Sequence, residues 1–161
     1  MSDLQARLQE LIQRETTRAA IEEWSKAQPG RNVPLYNYRG DHVELVVRTA
    51  LYLADEEGAD KTVVALAAWL HDVAKPGLGG TDNHGEQDAE LAERILSEAG
   101  VDPSLIERVK SAIRNHVGLT RQEPLPVLED QVVWEADKLV KLGVVGVLHL
   151  SLIHISEPTR L

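Results

Sequence analysis

Ala67-Ala68-Trp69-Leu70-His71-Asp72-Val73-Ala74-Lys75 is the stretch on which the reading of this chain turns. An apolar helical run ends there on an adjacent His-Asp pair. Imidazole and carboxylate both ligate first-row metals such as Fe, Mn, Zn, Co and Ni. Neighbours on a helix point about 100° apart, so a helix end is needed to swing both side chains toward one ion. Pro76-Gly77 and Gly79-Gly80 supply that stop. Taken alone, the dipeptide is better explained as an ordinary helix C-terminus. Its surroundings have to carry the argument.

Working outward, the spacing predicts a helix from near Ala59 to Ala74 that delivers His71 and Asp72. Before it, Asp41 reads as an N-cap. The helix it opens bears His42 in its first turn and a stripe of Val43, Val46, Val47, Ala50, Leu51, Leu53 and Ala54, with Gly58 as the stop. Asp3 to Lys26 reads as an amphipathic helix, through Leu4, Leu8, Leu11, Ile12, Ala19 and Trp24, whose role is packing. Gln28 to Pro34 is a loop.

After the pair, Lys75 to Asn83 is a glycine-rich loop, and His84-Gly85-Glu86-Gln87-Asp88 starts a fourth helix that runs toward Gly100. Asp102-Pro103 is an N-cap followed by proline at the first helical position. The fifth helix puts Leu105, Ile106, Val109, Ile113 and His116 on one side, with Gly118 as its end. A sixth starts near Leu128; its Asp137, four after Val133 and three before Val140, points toward the core. No stretch has strand periodicity, so the fold class is all-α, a bundle of about six to seven helices.

The chain has 161 residues and no cysteine. That is one domain with room for a core, and any metal must be held by His, Asp, Glu or water. A formal charge of −9 disfavours polymeric nucleic acid. It leaves room for a small phosphorylated substrate, because bound dications dominate the local field. No apolar run is of membrane-spanning length, and Met1-Ser2-Asp3 opens no signal peptide, so no membrane association and a cytoplasmic location are expected.

Leu150 to Arg160 reads unlike the rest. It resembles one reading frame of a transposase-type adapter used in sequencing libraries, so residues 150–161 are taken as a non-native tail and His154 is discounted. The expected domain is 1–149, with 1–27 as a packing helix and 38–146 as a metal-binding core. On this reading the natural chain continued, and the bundle is truncated at its C-terminus. Apolar surface bared by that loss would favour self-association, most simply a homodimer.

The polar exceptions are His42, His71, Asp72, His84, His116 and Asp137. Each has a plain explanation alone: a core histidine, a helix-start histidine, an aspartate paired with Lys138 or Lys141. Together they demand six such explanations, and a buried carboxylate costs several kcal/mol unless paired or metal-bound. The order His42…His71-Asp72…Asp137 resembles the HD superfamily of metal-dependent phosphohydrolases. Leu70-His71-Asp72-Val73-Ala74-Lys75 is similar to its LHDIGK form, and Ala136-Asp137-Lys138-Leu139-Val140-Lys141-Leu142-Gly143 to its ADKLDKLG form. His84-Gly85-Glu86-Gln87-Asp88-Ala89 and His116 resemble its two-metal branch.

The resemblance implies an HD-type helical bundle. It puts His42, His71, Asp72 and Asp137 on one divalent ion, and His84, His116 and a bridging Asp72 on a second. It implies phosphate monoester or phosphodiester hydrolysis by a hydroxide held between the two ions. Lys75, one turn past the pair, is expected to steady developing phosphate charge; a helix-end lysine favoured by the dipole explains it equally well. Arg114, Arg121, Lys138 and Lys141 are further candidates for substrate phosphate, each better explained on its own as a solvated side chain, and Arg48 has no assignable direction. Two rivals remain: a mixed-valence di-iron oxygenase on the same ligands, and a non-catalytic, metal-stabilised regulatory or binding module.

Overall fold

The computed structural model describes residues 2–27, 37–74 and 84–142. These form six helices and no strand: α1 (Ser2–Ala27), α2 (Tyr38–Glu57), α3 (Lys61–Leu70), α4 (His84–Glu98), α5 (Pro103–Asn115) and α6 (Leu128–Val140). The organising element is α3. Its residues Val63 to Leu70 are all buried. A helix that is apolar all round belongs inside a bundle, and α3 is packed by each of the other five. Burying a leucine such as Leu66 or Leu70, both fully buried, contributes about 2–3 kcal/mol.

The stripe expected on α2 faces inward: Val43, Val46, Val47, Ala50 and Ala54 are buried, with Leu51 and Leu53 partly so. On α6, Val132, Val133, Ala136, Asp137 and Val140 are all buried. The helix α1 lays Leu8, Ile12 and Ala20 inward against α2 and α3. At the end of the bundle away from His71, Arg108 binds Asp60 at 2.9 Å and Glu129 at 3.1 Å. This joins α5 to the starts of α3 and α6.

Four helix ends differ from the sequence reading. The α2 helix is capped by Asn37 rather than Asp41, so His42 lies in its second turn. Asn37 wins because its side chain does two jobs. Its Oδ1 accepts from Gly40 N at 3.0 Å, and its Nδ2 donates to Thr16 Oγ1 and Thr17 Oγ1 of α1 at 2.8 and 3.0 Å. The α3 helix starts later than Ala59 because Asp60 caps it, accepting from Thr62 N. It also ends at Leu70 instead of Ala74: Val73 N turns back to Leu70 O, and Ala74 N donates to Asp88 Oδ1 of α4 at 2.6 Å. That side-chain bond, within the described residues, peels the His-Asp pair off the helix. The α5 helix closes at Asn115, before Gly118, with His116 as its C-cap. Both Lys75 and the 150–161 tail lie outside the described residues, as does the expected extension of the core to 146.

Candidate metal centre

Four helices and one turn bring the six sequence-selected residues to one place. His42 comes from α2, His71 and Asp72 from the turn after α3, His84 from the first position of α4, His116 from the end of α5 and Asp137 from α6. The imidazoles form a chain of edge-on contacts. Ring centroids are 5.7 Å apart for His42 and His71, 5.1 Å for His71 and His116, and 5.2 Å for His116 and His84.

Asp72 sits at the middle of this row with its oxygens divided. Oδ2 is 3.7 Å from His71 Nε2, and Oδ1 is 3.6 Å from His116 Nε2. Two potential ion positions follow. One is lined by His42, His71 and Asp72, the other by Asp72, His84, Asp88 and His116, with the donor atoms of each group within 4.8 Å of one another. Asp137 faces the first position: its Oδ1 is 3.1 Å from His42 Nε2 and 3.9 Å from His71 Nε2.

Backbone carbonyls fix two of the rings. His71 Nδ1 lies 2.8 Å from Ala68 O, and His116 Nδ1 lies 2.5 Å from Ile113 O. A carbonyl only accepts, so each Nδ1 carries the proton and each Nε2 turns a lone pair inward. This is the test of whether the residues suit a cation. His71 Nε2 is buried with no hydrogen-bond partner, and so is Asp137 Oδ1, despite its 3.1 Å approach to His42. Lone pairs and carboxylate oxygens facing one another at 3.6–3.9 Å are mutually repulsive, and a divalent cation removes the conflict. The donor set fits Mn, Fe, Co, Ni or Zn.

The electrostatics point the same way. Burial above all, with the Asp72 and Asp137 charges opposing it, lowers His71 to a pKa of about 4, so the ring is neutral at physiological pH as a ligand must be. Burial would raise the Asp137 carboxyl. His42, His71, Lys141 and Lys138 outweigh it and hold Asp137 well below the usual carboxylate range. The two lysines do so from behind: Lys138 Nζ and Lys141 Nζ sit 2.6 and 2.8 Å from Asp137 Oδ2, leaving Oδ1 for the histidines. Lys138 Nζ also donates to His116 O at 2.8 Å, so it spans the two positions. Burial lowers its own pKa, partly offset by Asp137.

Among the other expected cations, Arg114 is taken by Glu86 at 2.8 Å, Arg121 donates to Asn115 O at 2.5 Å, and Arg48 is exposed. Asp88 is the residue that sequence reasoning missed. It is fully buried, one turn beyond His84 on the same face of α4. The sequence offers only a faint trace of it: Asp88 precedes Ala92 by four, but an acid early in a helix is expected from the dipole anyway. Gly85 lets this half of the site close. A Cβ there would lie 2.6 Å from Val117 Cγ2 and 3.0 Å from Arg114 O, so only glycine brings His84 this near the end of α5.

The comparisons agree with the geometry. A predicted HD superfamily hydrolase from an uncultured Thermotogales bacterium superposes with a TM-score of 0.59 at 28% identity, over 88% of this chain and 72% of that one. A protein from Lactobacillus plantarum superposes with a TM-score of 0.60 at 26% identity, over 94% of this chain and 65% of that one. This chain thus spans somewhat less than two thirds of the Lactobacillus protein. No helix among the described residues is long and apolar enough to cross a membrane. The sequence model of the HD domain matches residues 39–142, a span that holds all six selected residues, and the chain is a member of the HD domain family.

Proposed function

We propose that this protein is a metal-dependent phosphohydrolase that cleaves a small phosphate monoester or phosphodiester at a two-ion centre. The observation that carries the reading is the division of Asp72: one carboxylate presents one oxygen toward His71 and the other toward His116. A carboxylate so placed can bridge ions about 3.5–4 Å apart. In this reading His42, His71 and Asp137 hold the first ion and His84 and His116 the second. The Thermotogales neighbour, described as a hydrolase, supports the reaction class.

Ions held there would acidify a bound water and polarise the phosphoryl oxygens under attack. The chain's own residues do the rest. Ala68 O and Ile113 O keep His71 and His116 in one tautomer. Lys138 and Lys141 hold Asp137 ionised and fixed in direction. Asp72 and His84 are less enclosed than His71, His116 and Asp137, so substrate approaches from their side. Lys75, from its place in the sequence after the His-Asp pair, is the proposed cation for developing phosphate charge.

The test is turnover of p-nitrophenyl phosphate and bis(p-nitrophenyl) phosphate by protein loaded in turn with Mn, Fe, Co, Ni and Zn. Hydrolysis is expected with at least one metal, and it should vanish in Asp72→Ala protein whose circular dichroism is unchanged. No turnover of either ester by any metal-replete sample overturns the proposal.

A further inference from the structure

We propose that Asp88 is itself a ligand of the second ion, so that each ion is held by two imidazoles, one carboxylate of its own and one oxygen of Asp72. This rests on the two-ion reading. The six sequence-selected residues divide unevenly. The first position has His42, His71 and Asp137 besides Asp72; the second has only His84 and His116. Asp88 restores the match. It lies one helical turn from His84, so the two side chains share a face of α4. Its donor atom is within 4.8 Å of those of Asp72, His84 and His116.

The chemistry favours the assignment. Asp88 is 0% exposed, and a carboxylate turned inward beside two imidazoles is the donor type that first-row divalent ions take. The bond from Ala74 N at 2.6 Å is a neutral donor on one oxygen. A carboxylate accepts at two oxygens, so the anchoring bond and an ion are compatible. Three carboxylates and one hydroxide balance two dications, so the added carboxylate leaves no net negative charge to repel an anionic phosphate ester. The Ala74 bond gives Asp88 a second effect: it sets the turn that carries Asp72, so the residue that holds the second ion also aims the bridge.

The experiment is a titration of the full chain, stripped of metal, with Mn(II), followed by elemental analysis after desalting. Wild type should take up two equivalents. In Asp88→Asn the side-chain oxygen still accepts from Ala74 N, so a purely structural role survives and the charge does not. The first equivalent should bind as in wild type, and the second should weaken by roughly 10- to 100-fold. Two equivalents at wild-type affinity in Asp88→Asn overturn the Asp88 assignment and leave the two-ion reading standing. A wild type that saturates at one equivalent overturns that reading, and the assignment with it. Asp88→Ser, smaller and able to accept the same N–H, is read in the same way should the Asn variant fail to fold.

Discussion

The two halves of the centre are built differently. The His42–His71–Asp137 half is closed: its three side chains are 8%, 0% and 1% exposed, and they come from helices far apart in the chain. Two lysines fix the outer oxygen of Asp137. The His84–Asp88–His116 half is built where the start of α4 meets the end of α5, with single bonds to the α3 turn and to Lys138 of α6, and His84 is only half-buried. The first half therefore rests on the packing of the whole bundle, the second on how closely two helix ends approach. Perturbing the core should disturb one half, and perturbing a single glycine the other.

The largest separating effect is expected from acid. His71 falls from an ordinary 6.5 to about 4 on folding, through burial. Between those values the unfolded chain takes up a proton that the folded chain refuses. Metal-free protein therefore loses stability as pH drops from 6.5 to 4, by about 3 kcal/mol in all. Asp137 acts in another window: its carboxyl is lowered from 3.8, so its contribution is present above that pH and drains away below it. Denaturant midpoints of metal-stripped protein from pH 7 to 3 would show this, and the slope between 6.5 and 4 should flatten in His71→Gln. An unchanged slope would mean that the first half is less sealed than its geometry indicates.

Next comes Gly85→Ala. The added methyl meets Val117 and the Arg114 carbonyl, an overpacking of about 1–3 kcal/mol. The damage should concentrate on the second half: thermal unfolding comes earlier and the second Mn(II) equivalent weakens, while the first holds. Equal loss of both ions would show that the halves are mechanically one. The smallest effect divides the lysines. Lys138 touches both Asp137 and His116 O, Lys141 only Asp137. Supporting residues of this kind are worth roughly 10-fold in metal affinity. Lys138→Met should weaken both equivalents, and Lys141→Met only the first, as isothermal titration can resolve.

The comparison also accounts for what the sequence reveals. The closed half is legible because it breaks local rules. A histidine and an aspartate at the end of an all-apolar helix, and an aspartate among Val133, Ala136 and Val140, have no place there without a polar task. Asp88 breaks no rule visible in one dimension. An acid early in a helix is what the dipole favours anyway, so its burial against α5 and the α3 turn has to be seen in space. The true start of α2 stayed hidden for the same reason. Asp41 is as good a cap as Asn37 by residue type, and only the two threonines of α1, about twenty residues earlier, decide between them.

Those threonines carry a practical lesson for anyone trimming the gene. The family signature begins at residue 39, which invites an expression boundary just before it. Cutting there would discard Asn37 together with the hydroxyls that orient it, and strip α1 from α2, one turn from His42. A fragment shortened to the signature would lose the splint on its first metal-facing helix, and any failure to bind ions could be mistaken for a failure of the family assignment itself.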